Sequence, residues 1–146
     1  VTDICYLPAH ELVRLMSAGT VSCREVARAH LARIDAVNPR LNALVEATDP
    51  QPCLRLADAA DERRTRSEPL GSAHGLPVVV KDVMGVAGLA CSGGSPVVRA
   101  VANDDATVVS RLRNEGAASR TITSTAARTI RTTCRGRPAA AAGRPR

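Results

Sequence analysis

At 146 residues, with one Tyr and no Phe or Trp, the chain is sized for one domain whose core must come from Val, Leu, Ile and Ala. The formal net charge of +6 is confined to one end: residues 1–117 hold thirteen Lys and Arg against all fourteen acids, while residues 118–146 hold seven Arg and no acid. The body of the chain therefore lacks the basic surface of a nucleic-acid binder. Cys5, Cys23, Cys53, Cys91 and Cys134 show none of the close pairs that metal or redox motifs use, and read as reduced thiols in a cytoplasmic protein. The N-terminus has no basic stretch followed by an apolar run. The longest apolar run, Leu76 to Val80, is far below the roughly 20 residues that span a membrane. Secretion and membrane insertion are both disfavoured.

Ala9 to Ala18 carries Leu12, Leu15 and Met16 at helical spacing and ends at Gly19, which suits a helix stop. Ser22 followed by Glu25 forms a capping box, in which each side chain satisfies the other's free backbone N–H. The helix that it opens places Cys23, Ala27, Leu31 and Ile34 on one face and Arg24, Arg28 and Asp35 off it; Asn38-Pro39 is expected to stop it. Leu41 to Val45 reads as a short strand. Leu54 to Arg66 reads as a helix with its alanines inward and Asp58, Asp61, Glu62, Arg63 and Arg64 on a solvated face.

The pattern then changes. Gly71 and Gly75 bracket a turn, and Pro77-Val78-Val79-Val80 is a β-branched run suited to a strand buried on both faces, with Lys81-Asp82 at its C-terminal end. Reactive groups collect at such strand ends in open α/β sheets, so this charged pair is the first candidate site. A small, flexible loop with Gly85, Gly88, Gly93 and Gly94 comes next. Asp104 or Asp105 is expected to cap a last helix through Val108, Val109, Leu112 and Glu115, closed by Gly116.

Three segments together resemble the amidase signature family. They are His74-Gly75-Leu76-Pro77-Val78-Val79-Val80-Lys81-Asp82, then Ser92-Gly93-Gly94-Ser95-Pro96, and Asp105-Ala106-Thr107-Val108-Val109-Ser110-Arg111-Leu112-Arg113. The opening segment, with Leu12 to Met16, Glu25 to Ile34 and Asn38-Pro39-Arg40-Leu41-Asn42-Ala43, is similar to the N-terminal helices of the same enzymes. The order and spacing of these pieces make the resemblance specific over about residues 3–117. It implies the N-terminal portion of an α/β/α fold, helices packed on a mixed sheet, here truncated. It also implies hydrolysis of a small-molecule carboxamide by a serine nucleophile, a second serine with a cis peptide bond, and a lysine, with no cofactor and no metal. Lys81 matches that lysine. A lysine partly removed from water favours its neutral form, and a neutral amine can take a proton from the nucleophile through the bridging serine.

The resemblance gives His74 a place in the turn and no proton-transfer role; His10 and His30 read as helix-surface residues. Ser92 and Ser95 fall in the loop directly after the lysine strand, so neither is expected to be the nucleophile. The family's two serines come later, beyond the point where the match ends.

After Gly116-Ala117 the family's next strand and its serine-rich loop are not found, and Arg120-Thr121-Ile122-Thr123-Ser124-Thr125-Ala126 stands in their place. A shifted reading frame near codon 118 would produce this, because these codons overlap those for Asn, His, His, Glu, Tyr and Gly. Residues 1–117 are thus expected to form the N-terminal part of an amidase domain, and 118–146 a disordered or frame-shifted basic tail. The fragment is expected to be marginally stable and inactive alone. Three alternatives remain open: a glutaminyl/asparaginyl-tRNA amidotransferase A subunit, which shares the motifs; a small basic protein that binds an acidic partner through its tail; and a degraded gene product. The tail has no aromatics to stack on bases, so nucleic acid is a disfavoured partner, although seven Arg could hold phosphates without specificity.

Overall fold

The computed structural model describes residues 3–44, 49–95, 97–98 and 100–118, and the backbone of 123–124. A 3-10 turn at Ile4–Tyr6 leads into helices α1 (Ala9–Ser17), α2 (Cys23–Leu41) and α3 (Gln51–Thr65). Then come β1 (Val80–Lys81), β2 (Ala90–Cys91), β3 (Ala100–Val101), α4 (Thr107–Asn114) and β4 (Thr123–Ser124). The strands form two pairs, β1 with β4 in parallel and β2 with β3 antiparallel. Among the described residues no helix is long and apolar enough to cross a membrane.

The larger of two apolar clusters joins the first three helices. α1 contributes Leu12 and Met16, four residues apart on one face, and stops where Gly19 takes φ +72°. α2 opens on the expected box: the Glu25 N–H donates to Ser22 Oγ (3.1 Å) and the Ser22 N–H donates to the Glu25 carboxylate (2.8 Å). Cys23, Val26 and Ala27 are buried on α2; Cys53, Ala57 and Ala60 face them from α3. These small residues let the two helices approach closely. The smaller cluster, Val80, Val86 and Val109, joins β1 to the loop after it and to α4.

Several expectations are corrected. α2 does not stop at Asn38-Pro39; it continues through Pro39 to Leu41 and ends where Asn42 takes φ +48°. Pro39 lies in the last turn, where its missing N–H costs one bond and leaves the carbonyl of solvent-exposed Asp35 open to water. Leu41 to Val45 is not a strand, since Leu41 is helical. The N–H groups of Ala43 (3.0 Å) and Leu44 (2.9 Å) donate to Asn38 Oδ1 instead of to a sheet; Val45 lies outside the described residues.

The charged run of α3 is more than a solvated face. The Asp61 carboxylate accepts the Cys23 N–H (2.8 Å) and the Arg24 N–H (3.1 Å), two of the free donors at the start of α2, and Asp58 pairs with Arg24. Neither Asp104 nor Asp105 caps α4. Ala106 holds the cap position without a side-chain bond, while Asp105 accepts the Ala87 N–H (2.8 Å) and pairs with Arg113. The expectation that no strand follows Ala117 is also corrected: Ala118 is buried and Thr123–Ser124 form β4 beside β1, while 119–122 and 125–146 lie outside the described residues.

Candidate active site at the end of β1

The chain enters β1 through a turn over residues 71–76 that is fastened on two sides. On one side it meets the segment after α4. The Ala73 N–H donates to Glu115 O (3.0 Å), the Gly75 N–H to Gly116 O (2.9 Å), and the Ala118 N–H to Leu76 O (3.0 Å). Ser72 gives the Glu115 carboxylate its hydroxyl (2.8 Å) and its N–H (3.0 Å), which together hold that carboxyl below its usual range. On the other side the turn meets α2. Gly75 takes φ +67°, and a methyl group built there would overlap Cys23 Sγ and lie 2.9 Å from Cys23 Cβ.

Within residues 77–82 the strand is Val80–Lys81 alone, and the run from Pro77 is not buried on both faces. Val79 is half exposed and borders an apolar groove lined also by Leu31, Ile34, Cys53 and Ala118. The strand's two-residue alternation sets the side-chain directions at its end: Val80 and Asp82 point inward and are buried, while Lys81 between them is exposed. Lys81 and Asp82 are thus neighbours in sequence with opposite orientations. The expectation that Lys81 is partly removed from water is not met among the described residues. In the parallel pairing with β4, the Lys81 backbone stands opposite that of Ser124.

Asp82 organises the next loop. Its carboxylate accepts the Ser92 N–H (2.8 Å), the Ser92 hydroxyl and the Gly94 N–H (3.4 Å). Its carbonyl accepts the Gly93 N–H (3.1 Å) and the Cys91 thiol (3.0 Å). A buried carboxylate with donors of this kind is well solvated by the protein, so the loop expected to be flexible is tied down at its centre. The short β2–β3 hairpin grows from it. Ser92 spends its hydroxyl on Asp82. The part played by Asp82 was missed in the sequence, where it was read only as the partner of Lys81. The usable signal is an Asp ten residues before a Ser-Gly-Gly segment rich in backbone donors.

His74 is buried behind the turn with Nε2 3.7 Å from Cys23 Sγ; His10 is exposed, and His30 is half buried with Nδ1 2.9 Å from Val26 O. Burial pushes the Cys23 thiol up to about 12, and the Asp61 carboxylate adds to the effect. Among the described residues no group of three or more His, Cys, Asp or Glu side chains is placed to hold a metal ion.

The described residues are a portion of an α/β fold in which a lysine at the end of a parallel strand leads into a Ser-Gly-Gly loop anchored on a buried Asp. The profile of the Amidase family matches residues 25–138, past the Ala117 at which the motif resemblance ends, and the chain belongs to that family. It is 41% identical over 116 residues to the glutamyl-tRNA(Gln) amidotransferase A subunit of Salinispora arenicola, covering 79% of this chain and 23% of that protein. An acylamidase of Rhodococcus erythropolis is 35% identical over 115 residues, covering 78% and 24%. The solved peptide amidase of Stenotrophomonas maltophilia superimposes with a TM-score of 0.67 at 34% identity, over 80% of this chain and 23% of its own. The described fold is therefore a portion of the amidase signature architecture, and the chain spans about 23% of the length of the first of these relatives.

Proposed function

We propose that these residues carry the proton-accepting lysine of an amide hydrolase. Lys81 takes a proton relayed from a nucleophilic serine, and the serines come from outside the stretch described. The carboxamide carbon is attacked by the serine oxygen, the amine departs with the relayed proton, and water then releases the acid. The observation that supports the reading is the position of Lys81. It stands at the C-terminal end of β1 in a family member, exposed on the side opposite the buried anchor Asp82. On this reading the 146 residues by themselves show no amide turnover.

The test is a chimera in which residues 3–117 replace the matching segment of the Rhodococcus acylamidase. Amide hydrolysis that survives in the chimera and falls at least about a thousandfold with Lys81→Ala supports the proposal, on the scale set by removing a catalytic proton acceptor. A folded chimera that is equally active with Ala at position 81 refutes it, and so does turnover by the 146 residues alone.

A second reading places the substrate amide on glutamine. It is favoured by the 41% identity to the Salinispora amidotransferase protein, against 35% to the acylamidase. Ammonia release from glutamine, compared with aryl amide hydrolysis in parallel chimeras, separates the two readings.

A further inference from the structure

His74 is a buried titratable side chain that the Lys81 chemistry does not use, and its surroundings are hostile to a charge. It is 1% exposed, and its Nε2 meets the Sγ of Cys23, the first residue of α2, at 3.7 Å. The imidazole therefore lies at the positive end of a 19-residue helix. From α3 it faces Asp61, Arg63 and Arg64; from α2, the Cys23 thiol. The segment after α4 meets it through the backbone of Gly116, and Glu115 there is committed to Ser72. Asp61 is the one anion among these neighbours on α2 and α3, and both its oxygens already accept N–H donors of α2. Burial is the main influence that holds the imidazole below its ordinary value; Asp61 opposes it, and Arg63 and Arg64 reinforce it.

We propose that His74 is an acid-sensitive latch. In its neutral form it pins the turn 71–76 to the helical layer, and its protonation releases that turn together with the root of the strand that bears Lys81. The mechanical case rests on connectivity. The turn lies within the stretch of chain between α3 and β1, and it touches α2 through His74 and Gly75, both packed on Cys23. A proton on His74 must be placed at a helix N-terminus in a site closed to water, or the turn must open to hydrate it. The open form has an ordinary imidazole near 6.5 and the closed form a lower one, so the open form binds more protons as pH falls below 6.5. At pH 5.5 the open population grows by up to about tenfold relative to pH 7.5. The latch works whether or not Lys81 is a base.

The test tracks Cys23, which only opening uncovers. The 146-residue chain is labelled with 4,4′-dithiodipyridine between pH 7.5 and 5.0. The rate at Cys23 is read by peptide mass and divided at each pH by that of the unfolded chain. The latch requires this ratio to rise between pH 7.5 and 5.5, by about tenfold at most, and to stay flat in His74→Gln. A flat ratio in the unsubstituted chain overturns it, as does an equal rise in the variant. Should the variant not fold, the imidazole resonances of the unsubstituted chain decide. A His74 midpoint at or above 6.5 in the folded chain overturns the proposal, and a midpoint below it, together with the rising ratio, supports it.

Discussion

Replacing Gly75 with Ala should be among the more costly single-methyl changes in the chain, and its cost can be divided. One part is conformational: at φ +67° an L side chain crowds its own backbone, which costs about 1–2 kcal/mol. The other is steric. The new methyl overlaps Cys23 Sγ and stands 3.5 Å from Met16 Sδ, and both side chains are fully buried in the larger cluster with no room to retreat. Overpacking of this kind costs about 1–3 kcal/mol. The sum, roughly 2–5 kcal/mol, is a large share of the 5–15 kcal/mol that stabilises a typical domain. Urea unfolding monitored by far-ultraviolet circular dichroism measures it, with Cys23→Ala and the double variant completing a cycle. Removing Sγ should return most of the steric part, a coupling of about 1–2 kcal/mol, and leave the conformational part together with the 2.9 Å approach to Cys23 Cβ. A cost below about 0.5 kcal/mol for Gly75→Ala, or a double variant whose losses simply add, would refute the packing assigned to the turn.

Asp61→Ala should cost about 1–2 kcal/mol, because it strands two N–H groups at the start of α2, and hydrogen exchange at Cys23 and Arg24 should accelerate while α4 is unchanged. Asp82→Asn should release the loop, seen as faster exchange at Ser92, Gly93 and Gly94; unchanged protection there would contradict the anchoring role. The Glu25 carboxyl, held low by the Ser22 N–H and hydroxyl, and the Glu115 carboxyl, held low by Ser72, contribute stability that is present above 4.5 and lost as pH falls through their folded values. Ser72→Ala should flatten that acid limb, in a window below the one assigned to His74.

The helical half was legible where the signals are local. The Ser22–Glu25 box and the Leu12/Met16 spacing each depend on residues within one or two turns, and each appears as expected. What was not legible depends on partners distant in sequence. Asp61 reads as one more charge on an exposed run until α2 is laid beside α3, 38 residues from Cys23. The β2–β3 hairpin pairs Ala90 with Val101 and Cys91 with Ala100, too few residues for an alternating pattern to rise above the loop around it. Pro39 misled because the rule for a helix interior was applied in a last turn, where one lost bond faces water. Lys81 is a candidate through its place at a strand end and through the motif resemblance around it. Asp82 was underestimated because a side chain's direction on a strand depends on register, which the apolar run Pro77 to Val80 left undefined.

The same register governs how this strand end could change without losing its shape. Lys81 is exposed and its backbone is held by pairing with β4, so the side chain can be replaced at little structural cost, within about 0.5 kcal/mol for an exposed position. Asp82 is the reverse case. Its carboxylate is buried, and removing it would leave the part-buried Ser92 N–H without its acceptor, a loss of about 1–3 kcal/mol, while the Gly94 N–H would keep only Ser92 Oγ. The proposed chemistry at Lys81 and the support from Asp82 thus belong to adjacent residues on opposite faces of one strand. A chain that no longer used Lys81 would keep the same loop for as long as it kept Asp82. The loop's presence accordingly speaks to architecture, and substitution at Lys81 tests the proposed chemistry.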